Sequence, residues 1–267
     1  MLSLKEKVLT HAFDCFKART AFIISQKHHI VEKDGLKFQF NFYDRSVYTG
    51  DHPPREESKD PLLPPYPPHI LATHLQNGAA HNIQINLYSF KPGHVVISSD
   101  NPSDRQGDPL NDTDFHAFSQ FLLDFGNKGI GYYNSGNESG CSQLHKHIQY
   151  IPTEDFPIAD VMSKGKNLPW LYYSKKIEWF SPECVKDAWN DLTSRMKSGK
   201  FGDDIKHFNF VLTKHHAFLV PRKQARHRLG ITLNSLGVCG QFFTYEEKFE
   251  SMKDHPIDIV RDLCYAI

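Results

Sequence analysis

Several features that define whole classes of proteins are scarce or missing in this sequence. Its five cysteines (Cys15, Cys141, Cys184, Cys239 and Cys264) are odd in number, scattered and never arranged as C-x-x-C. This pattern argues against a disulfide framework or a four-thiolate zinc site and favours a reducing compartment. No stretch approaches the ~18 uninterrupted apolar residues of a membrane span. We therefore expect no contact with a membrane.

The chain also lacks an excess of either charge. Lys and Arg together number 31, as do Asp and Glu, so the formal net charge of the 267 residues is +0. Proteins that bind nucleic-acid phosphates usually carry a positive surplus, so no nucleic-acid partner is expected. The opening MLSLKEKVLTHAFD places charges where a signal peptide needs an apolar run. We expect a monomer in the cytoplasm, with the nucleus as a second location.

Hydrophobic spacing predicts helices among short strands. Helices are predicted at 3–18, where Ser3 and Glu6 form a capping box, at 112–126, and between Ser181 and Gly199. Alternating apolar residues and turn signals predict strands at 81–90, 91–99, 129–133, 145–151, 207–213, 216–221, 230–235 and 241–245. Hairpins interspersed with helices indicate an α+β fold rather than a parallel α/β sheet.

One short stretch, SQLHKHIQ at 142–149, carries the chemistry. If residues 145–151 form a strand, the side chains of His145, His147 and Gln149 share one face. A face of two histidines and a glutamine is too polar for a core, and its regular spacing is unusual for a random surface. We therefore interpret this face as a reactive site.

The loop before these histidines, NSGNESGCSQ at 134–143, indicates what the site binds. Its glycines at 136 and 140 let the backbone turn so that N–H groups converge on an anion. A neutral imidazole displaces a pyrophosphate-like leaving group from phosphorus and forms a nucleotidyl-histidine. Gln149 cannot ionise, and its amide N–H groups suit the oxygens where charge concentrates. The loop and strand together predict phosphate chemistry.

Two other interpretations of the histidine pair stay open at this point. The histidines are structural in the first. In the second, the H-x-H pair binds zinc, for which Cys141 or His116 is the available third ligand.

The motif, its loop and their flanks resemble the ATP adenylyltransferases, also called diadenosine tetraphosphate phosphorylases. This is the fungal branch of the histidine-triad superfamily related to galactose-1-phosphate uridylyltransferase. The matching segments are KDPLLPPY (59–66), NLYSFKPGHVV (86–96), DPLNDTDFHAF (108–118), GYYNSGNESGCSQLHKHIQYIP (131–152), FNFVLTKHHAFLVPR (208–222) and GITLNSLGVCG (230–240).

The resemblance implies a fold and an activity. The fold is histidine-triad-like and α+β, a curved antiparallel sheet flanked by helices. One domain spans residues 1–267, with a catalytic segment at about 59–152 and a C-terminal segment at about 207–250 that completes the substrate cleft. The implied reaction is phosphorolysis of diadenosine tetraphosphate, a dinucleoside polyphosphate, by inorganic phosphate to ATP and ADP. A hydrolase that uses water and a nucleotide-binding sensor without turnover are the alternatives.

The resemblance also implies site residues. His147 is the nucleophile that becomes adenylylated, His145 supports it, and Gln149 stabilises the transferring phosphate. Substrate-binding positions are Lys59, Asn86, Asn134, Gly140, Cys141, Ser142, Gln143, Lys214, Asn234, Ser235, Leu236 and Gln241. No cofactor is tightly bound and no metal is held by the protein, but a divalent cation, Mg²⁺ or Mn²⁺, accompanies the nucleotide. Three positions depart from the family pattern of lysine, proline and lysine: Leu87, Leu144 and Tyr245.

Overall fold

The computed structural model describes residues 2–47, 60–67, 70–72, 81–178 and 181–267. The helices are α1 Leu4–Ala18, α2 Asp112–Asp124, α3 Pro157–Ser163, α4 Pro182–Ser198, α5 Ser235–Val238 and α6 Pro256–Leu263. The strands are β1 Phe22–Ile23, β2 Ser25–Lys33, β3 Leu36–Tyr43, β4 Ile70–Ala72, β5 His81–Ile85, β6 Tyr88–Ser89, β7 Val95–Ser99, β8 Ile130–Asn134, β9 His147–Ile151, β10 Tyr173–Lys176, β11 His207–Leu212, β12 His216–Arg222 and β13 Gln241–Thr244. Short 3-10 helices cover Asn137–Ser139, Gly202–Asp204 and Glu246–Ser251.

The largest sheet takes its strands from the middle of the chain, between Ile70 and Arg222. Among the described residues it has eight strands in the order β10-β12-β11-β8-β9-β7-β5-β4, and each neighbouring pair is antiparallel. A second sheet has the order β13-β3-β2, and β1 pairs with β6. The predicted α+β fold, an antiparallel sheet flanked by helices, is confirmed. The one-domain boundary over residues 1–267 stays a prediction.

The two faces of the large sheet pack against different parts of the chain. Helices α2 and α4 cover one face, where the Trp189 ring lies 5.1 Å from that of Phe210. On the other face, Tyr132 belongs to a core that includes Leu236 and Leu263 from the C-terminal segment. Because side chains alternate along a strand, this second face is the one that His147 and Gln149 share. The site therefore lies on the face opposite α2 and α4.

Most of the predicted elements are present. Helix α1 begins with the predicted capping box, in which the Glu6 N–H donates to Ser3 Oγ at 3.2 Å and the Ser3 N–H donates to Glu6 Oε2 at 2.8 Å. Strands β5 and β7 form the predicted antiparallel hairpin. In the described part of the chain, no helix combines the length and apolar character that crossing a membrane requires.

The strand predicted at 230–235 is wrong. Asn234 Oδ1 accepts hydrogen bonds from the N–H groups of Leu236 at 3.0 Å and Gly237 at 3.4 Å. These bonds cap the short helix α5, which begins at Ser235. Asparagine favours a helix N-cap because its side chain replaces a missing backbone acceptor, and this local preference overrides the apolar alternation.

Candidate active site

His147 is the first residue of strand β9, and its protonation is fixed by its surroundings. Its Nδ1 lies 2.8 Å from the carbonyl oxygen of His145. Since a carbonyl only accepts, Nδ1 carries the hydrogen, and the lone pair of the neutral ring is on Nε2. The side chain is buried, and this burial lowers the pKa of His147 to about 4. His147 therefore presents an unprotonated Nε2, which is what a nucleophile needs.

His145 lies just before the strand, in an isolated bridge with Arg105. Its Nε2 donates to the carbonyl oxygen of Ser99, the last residue of β7, at 2.7 Å. The ring is 1% exposed. This bond fixes the backbone whose carbonyl receives the Nδ1–H of His147, so His145 supports the nucleophile from the adjacent strand.

Gln149 is oriented by Tyr132 and His94, which the sequence did not single out, and by Asn86, which it did. Its Oε1 accepts from Tyr132 Oη at 2.8 Å, from His94 Nε2 at 3.1 Å and from Asn86 Nδ2 at 3.3 Å. The N–H of Phe90 donates to His94 Nδ1, so the ring hydrogen of His94 is on Nε2. Burial lowers the pKa of His94 to about 4, which keeps this arrangement neutral. The amide nitrogen of Gln149 finds no acceptor among the described residues and is available to a ligand.

Gln106 is a further positioning residue that was missed from the sequence. Its Oε1 accepts from the His147 N–H at 2.8 Å, and its Nε2 donates to the carbonyl oxygens of His147 at 3.0 Å and Asn134 at 2.7 Å. The side chain is buried. A single amide therefore joins the start of β9 to the end of β8. Its 41-residue separation from His147 left no local signal in the sequence.

The 134–143 loop is built differently from a simple anion nest. The N–H groups of Ser139 and Cys141 donate to the Gly136 carbonyl, and the N–H of Gly140 donates to the Asn137 carbonyl. These N–H groups stabilise the loop itself. The N–H groups of Ser142 and Gln143 have no acceptor within the described residues, so they remain available to an anion. They are also the loop donors nearest in sequence to the histidines.

Gly140 brings this loop against the C-terminal segment. Its φ is +82°, and a Cβ there would lie 2.4 Å from the carbonyl oxygen of Leu233. Only glycine accommodates both conditions. Next to this contact, Asn134 Oδ1 accepts from Ser235 Oγ at 2.7 Å and from the Ser235 N–H at 3.0 Å. The predicted positions Asn134, Gly140, Asn234 and Ser235 are thus brought together, with buried Leu236 following in α5.

Two of the remaining predicted positions, Lys214 and Gln241, are not joined to the histidine strand by any hydrogen bond among the described residues. The third, Lys59, lies outside those residues. Lys214 is exposed in the turn that follows β11. Asn134 pairs with Asn209 near the start of β11, so Lys214 lies at the other end of this strand from Asn134. Gln241 is buried, donates to the Asp155 carbonyl at 2.6 Å and accepts from Asn41 at 2.8 Å.

Cys141 and His116 are the third ligands that the zinc interpretation suggested. Cys141 Sγ lies 3.7 Å from Asn137 Oδ1, and His116 is exposed on α2. Across the described ranges, no three side chains of His, Cys, Asp or Glu are grouped as a metal site requires.

The lowered pKa of His147 predicts an unusual pH dependence. Because only the neutral ring is nucleophilic, the reactive form persists until the pH falls through about 4. We expect the single-turnover rate of nucleotidyl-protein formation to be constant from neutral pH to about pH 5 and to fall below it. Circular dichroism of the same samples would show that the protein stays folded. An inflection near the ordinary histidine pKa of about 6.5 would contradict a buried neutral nucleophile.

A neutral, buried histidine beside an oriented glutamine on an antiparallel sheet is suited to nucleotidyl transfer, so the class of protein is a nucleotidyltransferase. Comparison with known families agrees. The model of the Ap4A phosphorylase N-terminal domain matches residues 2–166, and that of the ATP adenylyltransferase C-terminal domain matches residues 166–266. The chain belongs to the Ap4A phosphorylase (ATP adenylyltransferase) family.

The chain is similar in sequence to proteins of Saccharomyces cerevisiae and in fold to solved yeast structures. Diadenosine 5',5'''-P1,P4-tetraphosphate phosphorylase 2 is 25% identical over 75% of this chain and 73% of its own length. Protein APA1 is 26% identical over 69% of this chain and 67% of its own length. The crystal structure of yeast Ap4A phosphorylase Apa2 in complex with Ap4A has a TM-score of 0.82 at 19% identity, covering 98% of this chain and 97% of that one. The Apa2 complex with AMP has a TM-score of 0.80 at 20% identity, covering 98% and 96%.

Proposed function

We propose that this enzyme transfers AMP from diadenosine tetraphosphate to inorganic phosphate, which yields ATP and ADP, through an AMP group bound covalently to His147. The family and the yeast diadenosine tetraphosphate phosphorylase support the reaction. The observation that carries the mechanism is the hydrogen bond from His147 Nδ1 to the His145 carbonyl, which leaves the lone pair on Nε2.

The reaction proceeds in two displacements at the same phosphorus. In the first, His147 Nε2 forms a bond to the α-phosphorus, the bond to the leaving ATP breaks, and ATP keeps the electron pair. The ring then carries a positive charge, which the hydrogen bond from Nδ1 to the His145 carbonyl stabilises. In the second, an anionic oxygen of inorganic phosphate attacks this phosphorus, the N–P bond breaks, and the electron pair returns to Nε2. ADP leaves.

Gln149 stabilises the charge that develops on the transferring phosphate. Its oxygen is held by Tyr132 and His94, so its amide N–H groups are preorganised for the non-bridging oxygens. Gln149→Ala should lower kcat by about 10²-fold with a smaller change in KM. Gln120→Ala, on helix α2, is the control and should retain wild-type kinetics. A kcat within threefold of wild type for Gln149→Ala would remove the amide from the mechanism.

The substrate contacts are proposed from the same geometry. Asn86 and Asn134 lie on either side of the histidine strand, the first hydrogen-bonded to Gln149 and the second bridged to His147 by Gln106. The loop residues Cys141, Ser142 and Gln143, which lie in sequence between the Gly140 turn and His145, are proposed to contact the phosphates. Mg²⁺ or Mn²⁺ enters with the polyphosphate, whose oxygens are its natural ligands. We place the enzyme in the cytoplasm or nucleus as a monomer.

Product analysis tests this function directly. The wild-type protein is incubated with diadenosine tetraphosphate, with and without inorganic phosphate, and the nucleotides are separated by chromatography. Phosphorolysis gives equal amounts of ATP and ADP only when phosphate is present. ATP and AMP formed without phosphate would identify a hydrolase. Binding without turnover under either condition would identify a sensor.

A further inference from the structure

The strand register places two further polar side chains on the sheet face of His147, on strands β7 and β5. His147 on β9 is the register partner of Ser98 on β7, and Ser98 is the partner of Asn82 on β5. Register partners point to the same face of a sheet. The side chains of Asn82 and Ser98, which we call the Asn82–Ser98 pair, therefore lie on the face of His147.

The pair is buried and has no hydrogen-bond partner in the part of the chain that the structure describes. Asn82 is 1% exposed and Ser98 is 0% exposed. Neither the amide nitrogen and oxygen of Asn82 nor the Ser98 hydroxyl has a hydrogen-bond partner among the described residues. The next polar side chain on β5, Gln84, differs because its Nε2 donates to the Pro61 carbonyl at 3.2 Å. Buried polar groups are almost always paired, and no described residue pairs with Asn82 or Ser98, so a bound ligand is the partner that we consider.

The chemistry of the pair restricts that group. The asparagine amide offers two N–H donors and the serine hydroxyl offers a third, and none of them is charged. Neighbouring strands are about 4.8 Å apart. When the reacting phosphorus is bonded to His147 Nε2 on β9, the next phosphate group of the chain is therefore within reach of Ser98 on β7. Phosphate oxygens are acceptors that such donors bind well.

We propose that the Asn82–Ser98 pair is a phosphate subsite that binds oxygens of the substrate's phosphate chain beside the reacting phosphorus. This proposal rests on the proposed function of the site. The polyphosphate that leaves in the first displacement and the inorganic phosphate that enters in the second occupy the same place relative to the phosphorus. The same neutral donors therefore serve both half-reactions, and they set the affinity for the phosphate acceptor.

The test compares Ser98→Ala and Asn82→Leu with Ser119→Ala, a buried serine on α2 whose hydroxyl is already bonded to the Phe115 carbonyl. Nucleotidyl-protein is prepared with diadenosine tetraphosphate alone, and its discharge is followed at increasing phosphate concentration. Ser98→Ala should raise the half-saturating phosphate concentration about tenfold or more, as expected for loss of a hydrogen bond to an anion. Its melting temperature should not fall, because the hydroxyl that is removed has no partner among the described residues. Ser119→Ala should keep wild-type phosphate affinity.

The outcomes separate this proposal from the proposed function. If the wild type forms a nucleotidyl-protein and Ser98→Ala and Asn82→Leu discharge it with wild-type phosphate dependence, the subsite is wrong. A lowered melting temperature with unchanged phosphate dependence would likewise overturn it, since the pair then holds a structural water. If the wild type forms no nucleotidyl-protein, the proposed function fails. The subsite is then judged by tripolyphosphate, which should raise the melting temperature of the wild type but not of Ser98→Ala. If Asn82→Leu does not fold, Ser98→Ala alone decides.

Discussion

His147→Ala is expected to form no nucleotidyl-protein and to lose about 10⁴-fold or more of the phosphorolysis rate, because the covalent route needs an Nε2 lone pair at this position. Binding should persist, since Gln149 and Asn134 keep their own partners. The measurement is intact-protein mass after mixing with diadenosine tetraphosphate, together with the steady-state rate. The melting temperature with added ADP would show that the variant still binds nucleotide.

His145→Ala is the matched comparison. The bond that fixes the His147 tautomer goes to the backbone carbonyl of residue 145, which alanine retains. What is lost is the side-chain bond to the Ser99 carbonyl. The nucleotidyl-protein should therefore still form, but more slowly, because the nucleophile is less well positioned. Equal loss of the intermediate in both variants would contradict the division of roles between the two histidines.

A second large effect is expected at Lys146, on the opposite face from the two histidines. Its Nζ lies 3.1 Å from Asp114 Oδ2 and 3.3 Å from Asp104 Oδ2, and Asp114 Oδ1 is also 2.9 Å from His81 Nε2. Lys146 and Asp114 are almost completely buried. Removing one member of a buried ion pair leaves the other charge unpaired, at a cost of about 3–5 kcal/mol. Lys146→Met should lower the free energy of unfolding by this amount.

Urea denaturation of three variants checks this expectation. Lys146→Arg keeps the charge and should be much less destabilised than Lys146→Met. The double variant Lys146→Met with Asp114→Asn should recover part of the loss, because both charges are then gone. A Lys146→Met variant within 1 kcal/mol of wild type, roughly the value of an exposed ion pair, would show that the network contributes little.

Local patterns in the sequence were enough for much of the fold. The capping box of Ser3 and Glu6 begins α1, and the Pro-Gly turn at 92–93 lies within the β5–β7 hairpin connection. The alternation predicted over 145–151 placed His147 and Gln149 on one face, as the register and cores confirm, but the strand begins at His147 and His145 lies before it in an isolated bridge. Each of these signals is contained within a few residues, so a single sequence is sufficient to show it.

The surroundings of the site depended on contacts that no local pattern encodes. Gln149 is oriented by His94, 55 residues away, and Asn134 is bonded to Ser235, 101 residues away. The loop glycines did suggest an anion site. However, the direction of each N–H depends on the 3-10 helix at Asn137–Ser139, which uses several of the donors itself. Asn82 and Ser98 became candidates for a phosphate subsite only when the structure showed their register with His147 and their burial.

Peptide mapping of the trapped intermediate tests the central claim most directly. The protein is mixed with diadenosine tetraphosphate in phosphate-free buffer, quenched in alkali, under which a phosphoramidate bond survives, and digested. We predict AMP on His147, and its release as ADP when phosphate is added before the quench. AMP on His145, or no covalent nucleotide in a protein that still consumes the substrate, would contradict the account.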